Sequence, residues 1–469
     1  MTRLPTMPLL ALAVATLFPL GPADAHTTER AFVLLLPTAQ YLAGGTAAVA
    51  ASVLVLFLIR PQVLRRLSGL RLRLGQIPIF SSTPTSMLSA LLFVALVLAG
   101  WWGSRNPLAN PLPLSFWTLG WIGLTFVQAA LGNVWAFLNP WVGPYRLLWR
   151  RPTPRAYPAW LGYWPAVFVF LVFAWFELVY PAPDDPARLS AVLVAYWLAT
   201  FAGMILFGGE DWLRRAEPFS VFFGLIARLS PLDIAPAPGS RSGVLRLILP
   251  GAALLKSEPL PLSGTIFVLA TLSTVSFDGL SRTFFWLAKI GVNPLEFPGR
   301  TEVMGPNTAG LIGAALVLIA LYFLSLGLGG RMRPRPVGHL ALSIIPISLA
   351  YHFAHYLTVL LVNTQFALLA LNDPLGRGWD LFGLGPYHVT TSFLTNFGSV
   401  KTIWLIQVTA IVCGHVLAVF LAHLLWLSGP DQGDHVQPRL ALLTQLPLAF
   451  LMILYTLFGL WLLAAPTAG

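Results

Sequence analysis

The sequence predicts an all-α fold, a polytopic integral membrane helix bundle of about ten transmembrane helices that follow a cleaved signal peptide. Hydrophobic residues make up 57% of the 469 positions and charged residues only 10%, a composition outside the range of soluble globular domains. The apolar residues occur in long runs, and most arginines lie in the short segments between those runs. The net charge of +11 therefore indicates membrane topology, and we expect a lipid bilayer and no nucleic acid as partner.

The first residues have the pattern of a secretory signal peptide. Arg3 precedes an apolar run from Pro8 to Leu20, and small residues at Ala23 and Ala25 match the preference of signal peptidase. We expect residues 1–25 to be removed and residues 26–469 to form a single transmembrane domain. His26 would then be the mature N-terminus, outside the cytoplasm.

Ten apolar runs after the signal are long enough to cross the hydrocarbon core of a bilayer, which takes about 20 helical residues. The predicted spans are residues 39–59, 84–102, 114–133, 158–180, 189–208, 263–285, 306–327, 340–362, 402–427 and 440–464.

The distribution of arginine predicts the orientation of these spans. Most Arg and Lys residues lie in five alternate loops, which are residues 60–83, 134–157, 209–262, 328–339 and 428–439. Positively charged loops face the cytoplasm, so we expect a multi-pass protein of the bacterial inner (cytoplasmic) membrane with its mature N-terminus outside. The apolar, proline-containing inner loops near 134–157 and 209–262 are expected to hold helices that lie in the membrane interface.

Two histidines inside the eighth span are the main candidate site. His352 and His355 are three residues apart, so on a helix they lie on one face and can bind one ligand together. Ionisable residues at membrane depth are costly and by default indicate function. The other intramembrane candidates include Asp278 and Arg282 in span six and His415 in span nine.

Asp278, His352, His355 and His415 lie at similar predicted depth, as judged from the helical rise of about 1.5 Å per residue. Three imidazoles and one carboxylate form an N3O set that suits a divalent ion such as zinc or copper. A catalytic ion would keep one position open for water and lower the pKa of that water. His26 is a further candidate ligand, because an N-terminal histidine can chelate through its amine and its ring.

Each of these residues also has a structural interpretation. Asp278 and Arg282 are four residues apart and can neutralise each other on one helix. The three intramembrane histidines can each hydrogen-bond a neighbouring helix. His26 can equally be an ordinary residue of an N-terminal tail.

Several motifs resemble the bacterial multispanning membrane proteins known as fenitrothion hydrolases. The resemblance covers about residues 130–425, and the motifs that carry it are Gly132-Asn133-Val134-Trp135, Asn139-Pro140-Trp141, Leu161-Gly162-Tyr163-Trp164-Pro165-Ala166, Phe222-Phe223-Gly224-Leu225-Ile226-Ala227-Arg228-Leu229-Ser230-Pro231, Phe277-Asp278-Gly279-Leu280-Ser281-Arg282-Thr283, Ala350-Tyr351-His352-Phe353-Ala354-His355-Tyr356 and Gly376-Arg377-Gly378-Trp379-Asp380-Leu381-Phe382-Gly383.

The resemblance implies hydrolysis of an organophosphate triester at its phosphorus to aryl-oxygen bond. Such substrates are neutral and lipophilic and reach a site at membrane depth through the bilayer. In this hypothesis Asp278, His352 and His355 are catalytic and hold the metal ion together with His415, while Arg282 stabilises developing negative charge.

Two other classes of function fit the same residues. The histidines and Asp278 can serve a secondary transporter or channel, for metal ions among other cargoes, as a relay within the membrane. The chain can also be the membrane subunit of a heteromeric complex that needs a second protein subunit, with His26 completing a metal site at the interface.

Overall fold

A computed structural model gives the architecture. It describes residues 38–467 apart from residue 79 and the segments 150–154, 237–241, 297–298, 331–333, 386–387 and 428–437. The predicted signal peptide and His26 lie outside the described residues.

The described chain is almost entirely helical. In chain order its helices are α1 (Thr38–Leu58), α2 (Pro61–Ser68), α3 (Ser82–Trp102), α4 (Pro111–Leu131), α5 (Trp135–Leu138), α6 (Val142–Leu148), α7 (Trp164–Leu178), α8 (Pro186–Phe207), α9 (Gly209–Arg215), α10 (Pro218–Ile226), α11 (Leu262–Ser281), α12 (Phe284–Lys289), α13 (Arg300–Leu328), α14 (Pro334–Ala341), α15 (Ile345–Asn372), α16 (Phe397–Leu427) and α17 (Pro438–Ala464). Short 3-10 turns connect several of them.

Ten helices in the described residues are long and apolar enough to cross a membrane, which confirms the predicted polytopic all-α bundle. They are α1, α3, α4, α7 with the turn before it, α8, α11, α13, α15 with the end of α14, α16 and α17. Several of them are longer than the predicted spans, among them the seventh, which begins at Arg300. The eighth continues to Asn372 and the ninth begins at Phe397, so both extend well beyond the length that a hydrocarbon core requires.

Helix α11 lies at the centre of the bundle. Its residues from Ser263 to Asp278 are buried almost without interruption, and it packs against α7, α13, α14 and α15. Serine, threonine and glycine are frequent in this helix. Small side chains allow backbones to approach closely in a membrane bundle, where helices cannot gain hydrophobic free energy by leaving lipid.

Helix α4 has an irregular centre. The stretch Leu114–Gly123 follows the wider π-helical hydrogen-bonding pattern, in which each turn holds more residues than an α-helical turn. Trp121 lies in this stretch and is buried in the main hydrophobic core.

A three-stranded antiparallel sheet joins two of the arginine-rich loops. Strand β1 (Arg71–Pro78) pairs with β3 (Ser242–Ile248), which also pairs with β2 (Leu232–Pro236). The second of these loops therefore contains a hairpin in addition to α9 and α10, whereas only interfacial helices are predicted there from the sequence. The alternation Arg71-Leu72-Arg73-Leu74 is the strand signal that was available.

Glu217 fixes the start of α10. Its carboxylate accepts hydrogen bonds from the backbone N–H groups of Phe219 (2.9 Å) and Ser220 (2.6 Å), and it also accepts from the Tyr196 hydroxyl. These bonds satisfy donors that a helix N-terminus leaves unpaired. Burial raises the pKa of the Glu217 carboxyl.

Replacing Glu217 with Ala should lower the free energy of unfolding by about 1–3 kcal/mol, because the buried Tyr196 hydroxyl and two backbone donors lose their acceptor. Glu217→Gln, which keeps an acceptor oxygen, should lose less. Thermal unfolding in detergent micelles measures both. Asp211→Asn is the control, since its ion pair with Arg214 is exposed and should contribute little. Equal unfolding temperatures for Glu217→Ala and the control would contradict this role.

Candidate active site

Asp278 forms the centre of a polar cluster inside the bundle. Its Oδ2 atom lies 2.7 Å from Nε2 of His355 and 2.8 Å from the hydroxyl oxygen of Tyr356. Its Oδ1 atom lies 3.5 Å from Nε of Arg282. One buried carboxylate thus contacts an imidazole, a phenol and a guanidinium.

Helix periodicity explains why these groups meet. Asp278 and Arg282 are four residues apart on α11, and His352, His355 and Tyr356 share one face of α15. The two helices pack directly against each other. Asp278 and His355, both candidates from the sequence, are therefore in contact in the structure.

Glu177, near the C-terminal end of α7, extends the cluster to a third helix. Its Oε1 atom lies 3.0 Å from the Tyr356 hydroxyl, so one phenol oxygen contacts two carboxylates. Neither Glu177 nor Tyr356 is among the site residues predicted from the sequence. The available signals were a carboxylate near the end of the apolar run in α7 and a tyrosine four residues after His352.

His352 lies beside this cluster without joining it. Its ring packs against the rings of Trp121 and Tyr356, at centroid distances of 5.0 Å and 4.8 Å. Within the part of the chain that the structure describes, its buried Nε2 atom has no hydrogen-bond partner. His352, Glu177 and Tyr356 line one small cavity. Its volume of about 10 Å³ is close to what a single water molecule needs.

The cluster is closed on one side and open on the other. The Asp278 side chain is 3% exposed, whereas those of His355 and Arg282 are 26% and 54% exposed. The polar groups therefore lead from the buried carboxylate of Asp278 to the surface of the bundle, at His355 and Arg282. A molecule that approaches from that surface meets the imidazole and the guanidinium first.

Two arginines and one further carboxylate define the charge around the open side. Arg300 donates to the backbone oxygens of Glu177 (2.7 Å) and Tyr180 (3.3 Å), which end α7. In the loop that follows α7, burial raises the pKa of the Asp184 carboxyl, and the nearby guanidiniums of Arg300 and Arg282 oppose that rise.

His415 lies elsewhere. Its Nδ1 atom is 2.8 Å from the backbone oxygen of Ile411 in its own helix, and its ring centroid is 6.0 Å from that of Tyr351. Tyr351 in turn donates to the backbone oxygen of Tyr455 in α17. The structure thus places His415 beside Tyr351, one helical turn before His355 on α15, and outside the hydrogen bonds that join Asp278 to His355 and Tyr356.

The predicted N3O metal set is consequently not assembled in this arrangement. Among the described residues, no group of three or more His, Cys, Asp or Glu side chains is placed to hold a metal ion. His355 directs Nε2 at Asp278, and His415 is separate from both. The donors present do not fit the four-ligand site, and we derive no chemical step through a metal.

No protein-family model, no curated protein and no solved structure matches this chain. What the cluster can do follows from its own chemistry. A carboxylate in contact with an imidazole can orient that imidazole as a proton acceptor, and an adjacent guanidinium can stabilise negative charge.

Replacing Tyr356 with Phe should lower the free energy of unfolding by about 1–3 kcal/mol, because the buried carboxylate of Asp278 loses a hydrogen-bond donor and Glu177 loses its contact with the same hydroxyl. Thermal unfolding in detergent micelles measures the change. Tyr180→Phe is the matched control, since its hydroxyl accepts an exposed hydrogen bond from Arg188. A Tyr356→Phe protein as stable as this control would show that the contacts of the Tyr356 hydroxyl with Asp278 and Glu177 do not stabilise the fold.

Proposed function

We propose that this protein is a membrane-embedded hydrolase of lipophilic organophosphate triesters of the fenitrothion type. The observation that carries the proposal is the 2.7 Å contact between Nε2 of His355 and Oδ2 of Asp278, next to Arg282, where the cluster opens to the bundle surface. The sequence resemblance to the fenitrothion hydrolases names the substrate class.

His355 acts as the general base. With its Nε2–H donating to the Asp278 carboxylate, Nδ1 carries the lone pair that accepts a proton from water. Asp278 holds the imidazole in that tautomer and stabilises the imidazolium that forms, as the carboxylate does in a catalytic triad. The partly exposed position of His355 leaves room for water and substrate.

The reaction needs no reactant other than water and the triester. The water oxygen forms a bond to phosphorus while its proton passes to His355, and the bond between phosphorus and the aryl oxygen breaks. The products are a dialkyl phosphate or thiophosphate and an aryl oxide. Arg282 lies where its guanidinium can stabilise the negative charge that develops on the phosphoryl oxygen or sulfur.

The substrate reaches this site from lipid. A neutral aryl triester partitions into the bilayer, and the cluster is carried by three helices that are long and apolar enough to cross a membrane, α7, α11 and α15. The proposed location is the bacterial inner membrane with the mature N-terminus outside, which the excess of arginine in alternate loops supports.

A secondary transporter is the second candidate, and one observation favours it. Hydrolysis does not need Glu177, yet a continuous series of contacts joins Glu177 on α7 through Tyr356 and Asp278 to His355. Such a series can pass protons or assist a metal ion, as intramembrane carboxylates and histidines do in pumps and transporters.

A second protein subunit is compatible with either function. The loop after α15 exposes Trp379, Leu381 and Phe382, and exposed apolar groups of this size are a feature of protein contact sites. Such a subunit would bind at this loop.

His355→Ala and Asp278→Asn should each reduce hydrolysis of a p-nitrophenyl dialkyl phosphate by about 10²–10⁴-fold, the usual contribution of general-base catalysis. Release of nitrophenolate by purified protein in proteoliposomes measures the rate. His388→Ala, in an exposed loop, is the control and should retain the full rate.

A fully active His355→Ala protein would rule out this mechanism. Elemental analysis of the same preparations tests the divalent metal separately. One result would favour a metal ion over His355 as the group that activates the water. It is zinc or copper in the unmodified protein, with both the metal and hydrolysis lost in His352→Ala.

The transporter gives a different result in the same proteoliposomes. Uptake of a divalent cation that depends on an imposed pH gradient, and that Glu177→Gln abolishes, is expected of the transporter and not of the hydrolase. Retained ester hydrolysis in Glu177→Gln without any such uptake supports the enzyme.

The orientation can be tested with single cysteines in a Cys413→Ala background. A membrane-impermeant maleimide applied to intact spheroplasts should label Arg377→Cys and leave Arg71→Cys unlabelled until the cells are opened. The reverse labelling would place the arginine-rich loops outside.

A further inference from the structure

The small cavity beside the Asp278 cluster is lined by residues of α4, α7, α10, α11 and α15. Its volume is about 10 Å³, and the polar residues in its lining include Glu177 and His352. Neither residue acts in the proposed hydrolysis. This space, together with the residues that line it, is termed the Glu177–His352 cavity.

His352, which lines this cavity, has an unpaired ring nitrogen. The residue is 3% exposed, and its Nε2 atom is buried without a hydrogen-bond partner in the part of the chain that the structure describes. The rings of Trp121, Phe126, Phe222 and Tyr356 lie around the imidazole at centroid distances of 4.8–6.4 Å. A buried polar atom in such surroundings is costly unless a ligand satisfies it.

The hydroxyl groups in the lining determine what kind of ligand fits. Thr271 and Thr274 donate to backbone oxygens of their own helix, at 2.8 Å and 3.1 Å. Ser348 donates to Oγ1 of Thr271 at 3.3 Å. Because their hydrogens are engaged, these hydroxyls offer only lone pairs to a ligand. A ligand of this cavity must therefore donate hydrogen bonds, and the volume admits about one water molecule.

The contacts of Tyr356 require one hydrogen more than its hydroxyl supplies. Its oxygen lies 3.0 Å from Oε1 of Glu177 and 2.8 Å from Oδ2 of Asp278, and a hydroxyl donates one hydrogen. Asp278 also has His355 and Arg282 as cationic or donating partners. Among the described residues, no ion pair includes Glu177. A proton on Glu177 would give each of the two contacts its own hydrogen.

We propose that the Glu177–His352 cavity binds one water molecule and that Glu177 is a protonated carboxylic acid. The water donates one hydrogen to Nε2 of His352 and the other to Oε2 of Glu177. The Oε1–H group of Glu177 donates to Tyr356, and Tyr356 donates to Asp278. Continuous hydrogen bonds thus connect His352 to Asp278, whichever activity the cluster has.

Such a chain of hydrogen bonds provides a path for one proton. When Nε2 of His352 holds a proton, that proton can pass to the water while a water hydrogen passes to Oε2 of Glu177. The hydrogen on Oε1 then moves to the Tyr356 oxygen, and the Tyr356 hydrogen moves to Oδ2 of Asp278. Each N–H or O–H bond that breaks is matched by one that forms. His352 is one end of this path and Asp278 is the other.

Infrared spectroscopy of the full chain in lipid nanodiscs at neutral pH tests the protonation of Glu177. A protonated carboxyl group absorbs at higher wavenumber than a carboxylate, so Glu177→Gln should remove one protonated-carboxyl band. That band should move to lower wavenumber in D2O, because the acid proton exchanges along the chain. Glu302→Gln, which removes an exposed carboxyl, is the matched control and should remove only carboxylate absorption.

Cryo-electron microscopy of the same nanodiscs tests the water. Density for one water molecule is expected within about 2.7–3.2 Å of both Nε2 of His352 and Oε2 of Glu177. Ala174→Val, which adds two methyl groups to the lining, should displace this water. The Glu177 band should then remain but shift to higher wavenumber. Thermal unfolding identifies a variant that fails to fold, and Ser348→Val then fills the cavity from α15 instead.

Two substitutions at Glu177 distinguish a carboxylic acid from a carboxylate. An amide has one group that donates and one that accepts, as a carboxylic acid does, so Glu177→Gln should unfold at the same temperature as the unmodified protein. Glu177→Ala should unfold at a lower temperature, because Tyr356 and the water both lose their partner.

Three outcomes would overturn the proposal. The first is loss of carboxylate absorption in Glu177→Gln in place of a protonated-carboxyl band, or a band that D2O leaves unmoved. The second is a cavity without water density in a map that resolves other internal waters. The third is a Glu177→Gln protein as unstable as Glu177→Ala. None of these measurements involves ester hydrolysis, so their results are separate from the test of the hydrolase.

Discussion

The carboxylate of Asp278 is buried among apolar helices, so its charge has to be balanced by groups that belong to the protein. Burying an ion without partners is costly, and His355, Tyr356 and Arg282 supply those partners. This requirement sets how α11 and α15 face each other. The small side chains of α11 allow the close approach that the contacts need.

The membrane spans could be predicted from the sequence, whereas the structure of the segments between them could be predicted only in part. Long apolar runs identify membrane helices because length and hydropathy are local properties. The predicted eighth span ends too early, at residue 362, because Asn363, Thr364 and Gln365 interrupt the apolar run while the helix continues to Asn372. The hairpin of β2 and β3 was not predicted, because its pairing with β1 joins residues distant in sequence.

The candidate site could likewise be predicted only in part from the sequence. His352 and His355 share a helix face, a relation that spacing alone determines, and the Asp278 contact follows once α11 and α15 pack together. Equal depth also suggested His415 as a partner, but depth does not specify the rotation of a helix about its axis. Glu177 and Tyr356 could not be paired from sequence, since 179 positions separate them.

The π-helical stretch of α4 has a consequence for this arrangement. A π turn holds about one residue more than an α turn, so the stretch Leu114–Gly123 changes the direction in which later side chains point. Trp121, near its end, covers one side of His352. Loss of one residue from the stretch would restore a regular α-helix and rotate the indole relative to Phe116 and Trp117. The enclosure of His352 thus depends on the π-helical stretch of α4. This stretch leaves the apolar composition of the span unchanged.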